Sequence, residues 1–180
     1  MPSLPEGYRA LIIGSSGTIG SAFLELLQAD PRCGHAIGIH RDSLPAIDYA
    51  DESSIGIAAK ALASSGPFHL IINAIGVLHT NAWSPEKRGA DLCFGQLEAI
   101  FKINAFGPAV TLAKFGALLA KEDAIMAVIS AKVGSIEDNR LGGWYSYRAS
   151  KAALNMLLKT TAIELRRTQP VSYTHLRAHE

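Results

Sequence analysis

Apolar residues along the chain form two alternating patterns. Short continuous apolar runs predict strands buried on both faces, and apolar residues spaced three or four apart predict helices that bury one face. The predicted strands cover residues 10–13, 35–40, 47–51, 68–72 and 124–129. The predicted helices cover residues 18–27, 53–64, 92–119 and 145–167. This alternation indicates an α/β fold, a Rossmann-type doubly wound parallel sheet with five strands present.

Two connections depart from the simple alternation. Residues 42–46 are too few for a full crossover helix between the second and third strands, so we expect a single turn there. Gly107 and Pro108 interrupt the helix predicted over 92–119, and they predict a bend. Asn104 lies one turn before this bend, where freed backbone groups can turn a buried amide towards a ligand cleft.

A glycine-rich turn joins the first strand to the first helix. It reads Gly14-Ser15-Ser16-Gly17-Thr18-Ile19-Gly20. Glycines let the backbone approach a pyrophosphate closely, and the helix beginning near Thr18 points free N–H groups and its positive dipole end at such an anion. The alternative is that a strand-to-helix turn needs glycine for backbone reasons alone.

The fourth predicted strand leads into a second glycine-containing segment. It reads Asn73-Ala74-Ile75-Gly76, and it predicts another close backbone approach at Gly76. The irregular stretch 77–91 follows, where we expect a substrate-facing loop.

Arg41 ends the second predicted strand. In a doubly wound fold this position lies over the adenosine ribose, where a cation accommodates a 2′-phosphate and an acidic residue favours a free hydroxyl. Arg41 therefore indicates NADP. A solvated charge at the end of a strand is the alternative interpretation.

Tyr147 and Lys151 lie four residues apart near the start of the last predicted helix, so they share one helix face beside the end of the fifth strand. An ammonium next to a tyrosine favours the phenolate and can tune a proton transfer. The alternative is a stacked pair on a solvated helix face.

Taken together, residues 9–167 resemble the short-chain dehydrogenase/reductase family. The resemblance lies in the glycine turn, the Asn73–Gly76 segment, Asn104 and the Tyr147-x-x-x-Lys151 motif, and residues 142–155 are most similar to the C-factor and sniffer type of carbonyl reductase. Two positions depart from the family pattern. Its middle glycine falls on Thr18, and its catalytic serine aligns on Ala131, which leaves Ser130 or Ser135 to supply the hydroxyl.

The resemblance implies hydride transfer between a nicotinamide and a carbonyl or alcohol carbon of a small molecule. Tyr147 would protonate the carbonyl oxygen, a serine would polarise it, and Lys151 would hold the nicotinamide ribose and lower the tyrosine pKa. Asn104 would hold a water in a proton relay, and Asp48 would contact adenine. The implied cofactor-binding residues are Gly14, Ser15, Ser16, Gly17, Thr18, Ile19, Gly20, Arg41, Asp48, Asn73, Ala74, Gly76, Tyr147 and Lys151.

The implied cofactor is NADP, with NAD as the alternative. A different class of function is an NADP-binding sensor or interaction protein without turnover, or an inactive fragment. The loss of the aligned serine favours that alternative.

The composition of the chain limits the classes of partner that it is expected to bind. The chain has 180 residues and a net charge of +1, without a basic block, which argues against nucleic acid or a membrane surface as a partner. Cys33 and Cys93 have neither disulfide-motif nor metal-ligand spacing, so we expect buried, reduced thiols in a cytoplasmic protein and no metal. The resemblance implies that the full-length form is a homo-oligomer built through the last two long helices, with Phe115, Met156 and Leu158 as surplus apolar residues.

The end of the chain departs from the expected pattern. A complete fold of this type has about six strands, so residues 1–170 are expected to be an incomplete NAD(P)-binding domain whose C-terminal strands are missing. Residues 171–180 resemble the translation of a transposon adapter used in sequencing libraries, which predicts a non-native tail. A natural polar tail is the alternative.

Overall fold

The computed structural model describes residues 4–168 as a parallel β-sheet covered by helices on both faces. The strands are β1 (Tyr8–Ile13), β2 (Cys33–Ile39), β3 (Leu70–Asn73) and β4 (Ile125–Val128). The helices are α1 (Thr18–Ala29), α2 (Glu52–Ala61), α3 (Phe94–Phe101), α4 (Gly107–Phe115) and α5 (Tyr145–Thr168). The tail predicted over 171–180 lies outside the described residues.

The strand order is β2-β1-β3-β4, and every pairing is parallel. The chain moves outward from β1 to β2 and then returns to place β3 on the other side of β1. This reversal creates a crevice at the carboxyl ends of β1 and β3, where ligands of doubly wound sheets bind. The α/β fold class predicted from the sequence is thereby confirmed.

Four strands are present among residues 4–168, and the predicted strand over 47–51 is not one of them. The short connection 42–46 does not carry this segment across to pair with β2. The Ile47 N–H donates to the His40 carbonyl at 3.0 Å, and other hydrogen bonds of the segment go to α2. The Asp48 N–H donates to Ser54 Oγ at 2.9 Å, and Asp51 accepts from the Ser53 N–H at 3.0 Å. Asp51 thus acts as the N-cap of α2 and is not part of a β-strand pairing.

The helix predicted over 92–119 is divided by a π-helical turn, Lys102–Phe106, between α3 and α4. Pro108 follows this turn within the first residues of α4. Proline has no N–H for the carbonyl four residues earlier, which belongs to Asn104, and its ring crowds that carbonyl. The predicted interruption of the helix is therefore present as a π turn that directly precedes Gly107 and Pro108, and the bend itself stays a prediction.

Alternate residues of β1 enter two separate cores. Leu11 and Ile13 face α2, α4 and α5, while Ala10 and Ile12 face α1. Phe115 and Leu158 are buried in the larger core, so the prediction that they are surplus surface residues is wrong. Helical spacing alone does not show that a helix packs on two neighbours at once.

Both cysteines are free thiols, and Cys93 is exposed where Cys33 is half-buried. The expectation of two buried thiols is thus wrong for Cys93, which precedes the first turn of α3. No helix within residues 4–168 combines the length and the apolar character needed to cross a membrane.

Candidate active site

A cleft of about 260 Å³ opens at the carboxyl ends of β1 and β3. Residues from the glycine turn, the end of β2, the segment after it, the exit of β3 and the π turn line it together. These are Gly14, Ser16, Gly17, His40, Arg41, Ile47, Asp48, Tyr49, Ala74, Ile75, Gly76, Val77 and Ile103. The cleft therefore gathers seven of the residues that the sequence predicts for cofactor binding.

The glycines of the turn are present for different reasons. Gly14 has a φ of +88°, and a Cβ there would lie 2.7 Å from Ile75 Cγ1. A Cβ at Gly20 would lie 2.1 Å from the Gly14 carbonyl oxygen. Gly17 has an ordinary φ of −81°, and a Cβ there would meet its nearest neighbour at 3.5 Å. Packing within the chain accounts for Gly14 and Gly20 but leaves Gly17, which lines the cleft, free for close approach by a ligand.

The start of α1 is open to an anion. Its N-cap, Gly17, has no side chain to cap the helix, and the first turn carries no acidic residue. Thr18 and Ile19 in this turn are exposed, whereas Ser15 is buried beneath it against Gly38. The free N–H groups and the positive dipole end at this position suit a phosphate group.

Arg41 and Asp48 face the cleft from the side of β2. Arg41 is exposed, and none of the residues from 4 to 168 forms a salt bridge with it. Asp48 Oδ1 accepts a hydrogen bond from the Ala50 N–H at 2.9 Å. The guanidinium is thus available to an anionic ligand.

Asn73, predicted to bind cofactor, is fully buried. Its Nδ2 donates to Tyr49 Oη at 2.6 Å, and its Oδ1 accepts from the Ile75 N–H at 3.1 Å. Tyr49 Oη also pairs with Thr111 Oγ1 at 2.8 Å, and burial raises the pKa of this phenol above its ordinary value. Asn73 therefore shapes the segment that leads to Gly76, and its side chain is not part of the cleft wall.

Lys151 is buried at the Gly76 end of the cleft. Its Nζ donates to the Ile129 carbonyl at 3.1 Å and lies 3.1 Å from where a Gly76 Cβ would stand. Burial lowers the pKa of this ammonium to about 8. The lysine is thus held between the exit of β4 and the exit of β3.

Tyr147 is half-buried one turn before Lys151 on α5. The Lys151 Nζ lies 5.8 Å from the centre of the tyrosine ring. Burial raises the pKa of Tyr147, which is opposite to the lowering predicted from the sequence. Removal from water disfavours the charged phenolate, so this phenol is protonated at neutral pH.

Asn104 lies in the π turn and is fully buried. Its Oδ1 accepts from the Val77 N–H at 2.8 Å, and its Nδ2 donates to the Val77 carbonyl at 2.8 Å and to Ser150 Oγ at 3.1 Å. The side-chain amide thus ties the β3 exit to α5 rather than turning into the cleft. The main-chain carbonyl of Asn104 cannot accept a helical hydrogen bond from residue 108, because Pro108 has no N–H.

The two candidate serines lie in different surroundings. Ser130 Oγ donates to Asn155 Oδ1 on α5 at 2.6 Å. Ser135 lines a separate cavity of about 410 Å³ together with Arg148 and Ala149. Which hydroxyl serves Tyr147 stays a prediction. Within residues 4–168 no group of three His, Cys, Asp or Glu side chains is placed to hold a metal ion.

Sequence analysis missed Tyr49, Ser150 and Glu86. Tyr49 fell in a segment interpreted as a strand, and Ser150 fell inside the Tyr-x-x-x-Lys motif, where only the ends were considered. Glu86 is a carboxylate in an irregular loop, a setting that normally indicates solvent exposure, yet it is 3% exposed. A sequence signal for it was its position beside Pro85 in the loop predicted to face substrate.

Comparison with family models gives a match over residues 40–175 to the model described as short chain dehydrogenase. Two curated proteins are similar in sequence. A 1-hydroxy-2-glutathionyl-2-methyl-3-butene dehydrogenase of Rhodococcus sp. (strain AD45) is 32% identical over 114 residues, 63% of this chain and 47% of the relative. The C-signal protein of Myxococcus xanthus is 35% identical over 103 residues, 57% of this chain and 59% of the relative. The chain spans about half the length of the curated relatives it matches.

Solved structures share the fold. The crystal structure of an NADPH-bound carbonyl reductase from chicken fatty liver superposes with a TM-score of 0.78 at 21% identity. The superposition covers 92% of this chain and 73% of the other.

Proposed function

The chain belongs to the short-chain dehydrogenase/reductase family, and on this premise we propose that it transfers a hydride between a nicotinamide cofactor and a carbonyl or alcohol carbon. The observation that carries the proposal is the position of Lys151 Nζ, 3.1 Å from the site of a Gly76 Cβ. Gly76 lines the cleft that begins at the glycine turn, so the Tyr147–Lys151 pair stands at the end of the cleft opposite that turn.

The residues present fit a dinucleotide. Gly17 leaves room at the uncapped start of α1, which suits a pyrophosphate. Arg41 offers an exposed guanidinium, which suits a 2′-phosphate and favours NADP over NAD. The neighbour from chicken fatty liver is described as NADPH-bound, which supports the same choice. A bound nicotinamide would supply the hydride.

The chain's own residues carry out the proton transfer to the substrate oxygen. Tyr147, kept protonated by burial, donates its phenolic proton to the oxygen of the carbonyl during reduction. Lys151, still largely charged below its pKa of about 8, would hold ribose hydroxyls near Gly76 and stabilise the phenolate that forms. We assign the water of the proton relay to the main-chain carbonyl of Asn104, because its side-chain amide is already occupied.

A second candidate function is cofactor binding without turnover. It is favoured by Ala131 at the position of the family's serine and by the engagement of Ser130 with Asn155. The two functions are separated by titrating NADPH by fluorescence and by following NADPH oxidation against aldehydes, ketones and diketones. Binding with turnover that Tyr147→Phe abolishes supports the oxidoreductase. Binding without turnover on every carbonyl supports the sensor, and absence of binding overturns both.

We further propose that the protein self-associates through α3 and α5. Phe94 of α3, Phe106 of the π turn that follows α3, and Met156 of α5 expose 82%, 53% and 67% of their surface. Large exposed apolar side chains of this kind are typical of an interaction site. Two free thiols fit a reducing compartment, and we propose the cytoplasm.

A further inference from the structure

Glu86 is a buried carboxylate at the start of the helix that carries the proton donor. It belongs to the segment 77–91, and it is 3% exposed. Its Oε2 accepts from the Ser146 N–H at 3.3 Å, and its Oε1 accepts from Ser146 Oγ in a short contact. Ser146 is 1% exposed and directly precedes Tyr147.

Glu86 holds the chain on the other side of this turn as well. Its main-chain carbonyl accepts from the Trp144 N–H at 2.5 Å. Trp144 has a φ of +51°, a left-handed conformation that is costly for a bulky residue and persists only where neighbours enforce it. Two glycines with positive φ, Gly142 and Gly143, precede it.

Trp144 in turn contacts the proton donor. Its ring lies edge-on to the ring of Tyr147, with centroids 6.3 Å apart and an interplanar angle of 75°. The carboxylate of Glu86 therefore holds Ser146 in the first turn of α5, and the main-chain carbonyl of the same residue holds Trp144 beside the ring of Tyr147.

The carboxylate is held by hydrogen bonds rather than by a cation. Among residues 4–168 no lysine or arginine forms a salt bridge with Glu86, and the nearby Arg88 pairs with Asp91 at 2.8 Å. The N–H groups and positive dipole end of α5 stabilise a negative charge at this position. This carboxylate reaches Tyr147 through Ser146, the residue directly before it, and a shift of this turn would also move Trp144, which packs against the Tyr147 ring.

We propose that Glu86 is a positioning residue for Tyr147, acting through Ser146 and Trp144. The proposal rests on the oxidoreductase function proposed above, and it adds that the substrate-facing segment sets the orientation of the proton donor. Loss of this carboxylate should misplace the phenol while leaving the nucleotide end of the cleft intact, because Gly17 and Arg41 lie on other elements.

The test compares Glu86→Gln and Ser146→Ala with Glu25→Gln, a matched change at an exposed glutamate of α1. The chain has two tryptophans, so a Trp83→Phe background makes Trp144 the sole reporter for emission and acrylamide quenching without cofactor. Kinetics with Trp83 retained give kcat and KM separately. We expect red-shifted, more quenchable emission and a kcat about tenfold lower in Glu86→Gln, with KM for NADPH within about twofold.

The proposal is overturned if Glu86→Gln matches Glu25→Gln in quenching, or if kcat falls while the Trp144 emission is unchanged. It is also overturned if KM for NADPH rises as much as kcat falls, since the damage would then be general. If circular dichroism shows that Glu86→Gln does not fold, Ser146→Ala decides by the same criteria. If the wild type turns over no carbonyl, the proposed function fails separately, and unchanged Trp144 quenching still overturns the role of Glu86.

Discussion

The side-chain amide of Asn73 donates to the phenol oxygen of Tyr49 at 2.6 Å. This bond ties the exit of β3 to the segment that carries Asp48, and Thr111 on α4 completes the contact from the third side. Both walls of the nucleotide cleft thus depend on one buried hydroxyl.

Replacement of Tyr49 by phenylalanine should lower the free energy of unfolding by about 1–3 kcal/mol, because Asn73 Nδ2 and Thr111 Oγ1 would lose a buried partner. Urea denaturation measures the change. Tyr145→Phe is the control, since its hydroxyl is partly exposed and its removal should change stability by less than about 0.5 kcal/mol. Equal stability of the two variants would contradict the structural role of the Tyr49 hydroxyl.

Arg41 should determine cofactor preference. We expect tighter binding of NADPH than of NADH, and Arg41→Asp should reverse the order by weakening NADPH on the order of tenfold to a hundredfold. Fluorescence titration of both cofactors measures this. Arg140→Asp, at an exposed arginine of the loop before α5, should leave both affinities unchanged. Affinities that are equal before and after Arg41→Asp would refute the assignment.

Gly14 and Gly17 should respond differently to alanine. Gly14→Ala should destabilise the fold by about 1–3 kcal/mol, because its φ is positive and Ile75 occupies the space of a Cβ. Gly17→Ala should fold normally and bind NADPH more weakly, because the added methyl group stands where the ligand approaches. Thermal unfolding and NADPH titration measure the two effects. A Gly17→Ala variant with unchanged affinity would show that this glycine serves the backbone alone.

Lys151 should make stability rise with pH. Its pKa is lowered from 10.5 to about 8, so between these values the unfolded chain binds more protons than the folded one. The cost of burying the ammonium is full below pH 8, roughly 3 kcal/mol, and is relieved as the pH rises towards 10. Lys151→Met should therefore stabilise the fold at pH 7 and flatten the dependence between pH 8 and 9.5, while abolishing turnover.

Urea denaturation at several pH values checks the Lys151 prediction. Lys159→Met, at an exposed lysine of the same helix, is the control and should keep the wild-type dependence. A Lys151→Met variant that parallels wild type across this range would show that the lysine titrates normally in the folded state.

Met156 should mark the self-association surface. We expect dimers at micromolar concentration in light scattering, and Met156→Asp should produce monomers because it places a charge in a buried apolar contact. Leu26→Asp changes an equally exposed apolar residue on α1 and should leave the dimer intact. A wild-type monomer, or dissociation by both variants alike, would count against α3 and α5 as the surface.

The sequence predicted the order of strands and helices because buried parallel strands are continuous apolar runs, and Leu70–Asn73 shows this in its four buried residues. It failed at residues 47–51, where Ile47 and Tyr49 alternate with polar residues as in a strand. Those apolar side chains are buried at the wall of the cleft, while the N–H of Asp48 between them donates to Ser54 of α2. Spacing does not reveal which partner receives a backbone hydrogen bond.

The sequence indicated which residues lie at the candidate site, but it did not indicate which hydrogen bonds their side chains form. Three separate motifs predicted Gly76, Asn104 and Lys151 as site residues, and in the structure Lys151 Nζ and Asn104 Oδ1 lie 3.1 and 3.5 Å from where a Gly76 Cβ would stand. The sequence did not show that the side-chain amides of Asn73 and Asn104 form hydrogen bonds with Tyr49 and Val77. Hydrogen-bond partners that lie more than twenty residues apart are determined by tertiary packing. The spacing of apolar residues along a single sequence predicts helices and strands, but it does not predict these partners.

The π turn Lys102–Phe106 also determines the direction in which the side chains of α4 point relative to those of α3. One residue more in a helical turn rotates everything after it by roughly 100° about the axis. In a regular α-helix eleven residues make about three full turns, so Thr111 of α4 would lie on nearly the same face as Ile100 of α3. The extra residue turns Thr111 away from that face, and its hydroxyl contacts Tyr49 Oη at 2.8 Å. Deleting one residue from this turn would restore a regular helix and keep Thr111 directed at Tyr49, but it would remove the turn that holds Asn104, so the cleft is sensitive to length here and not only to residue identity.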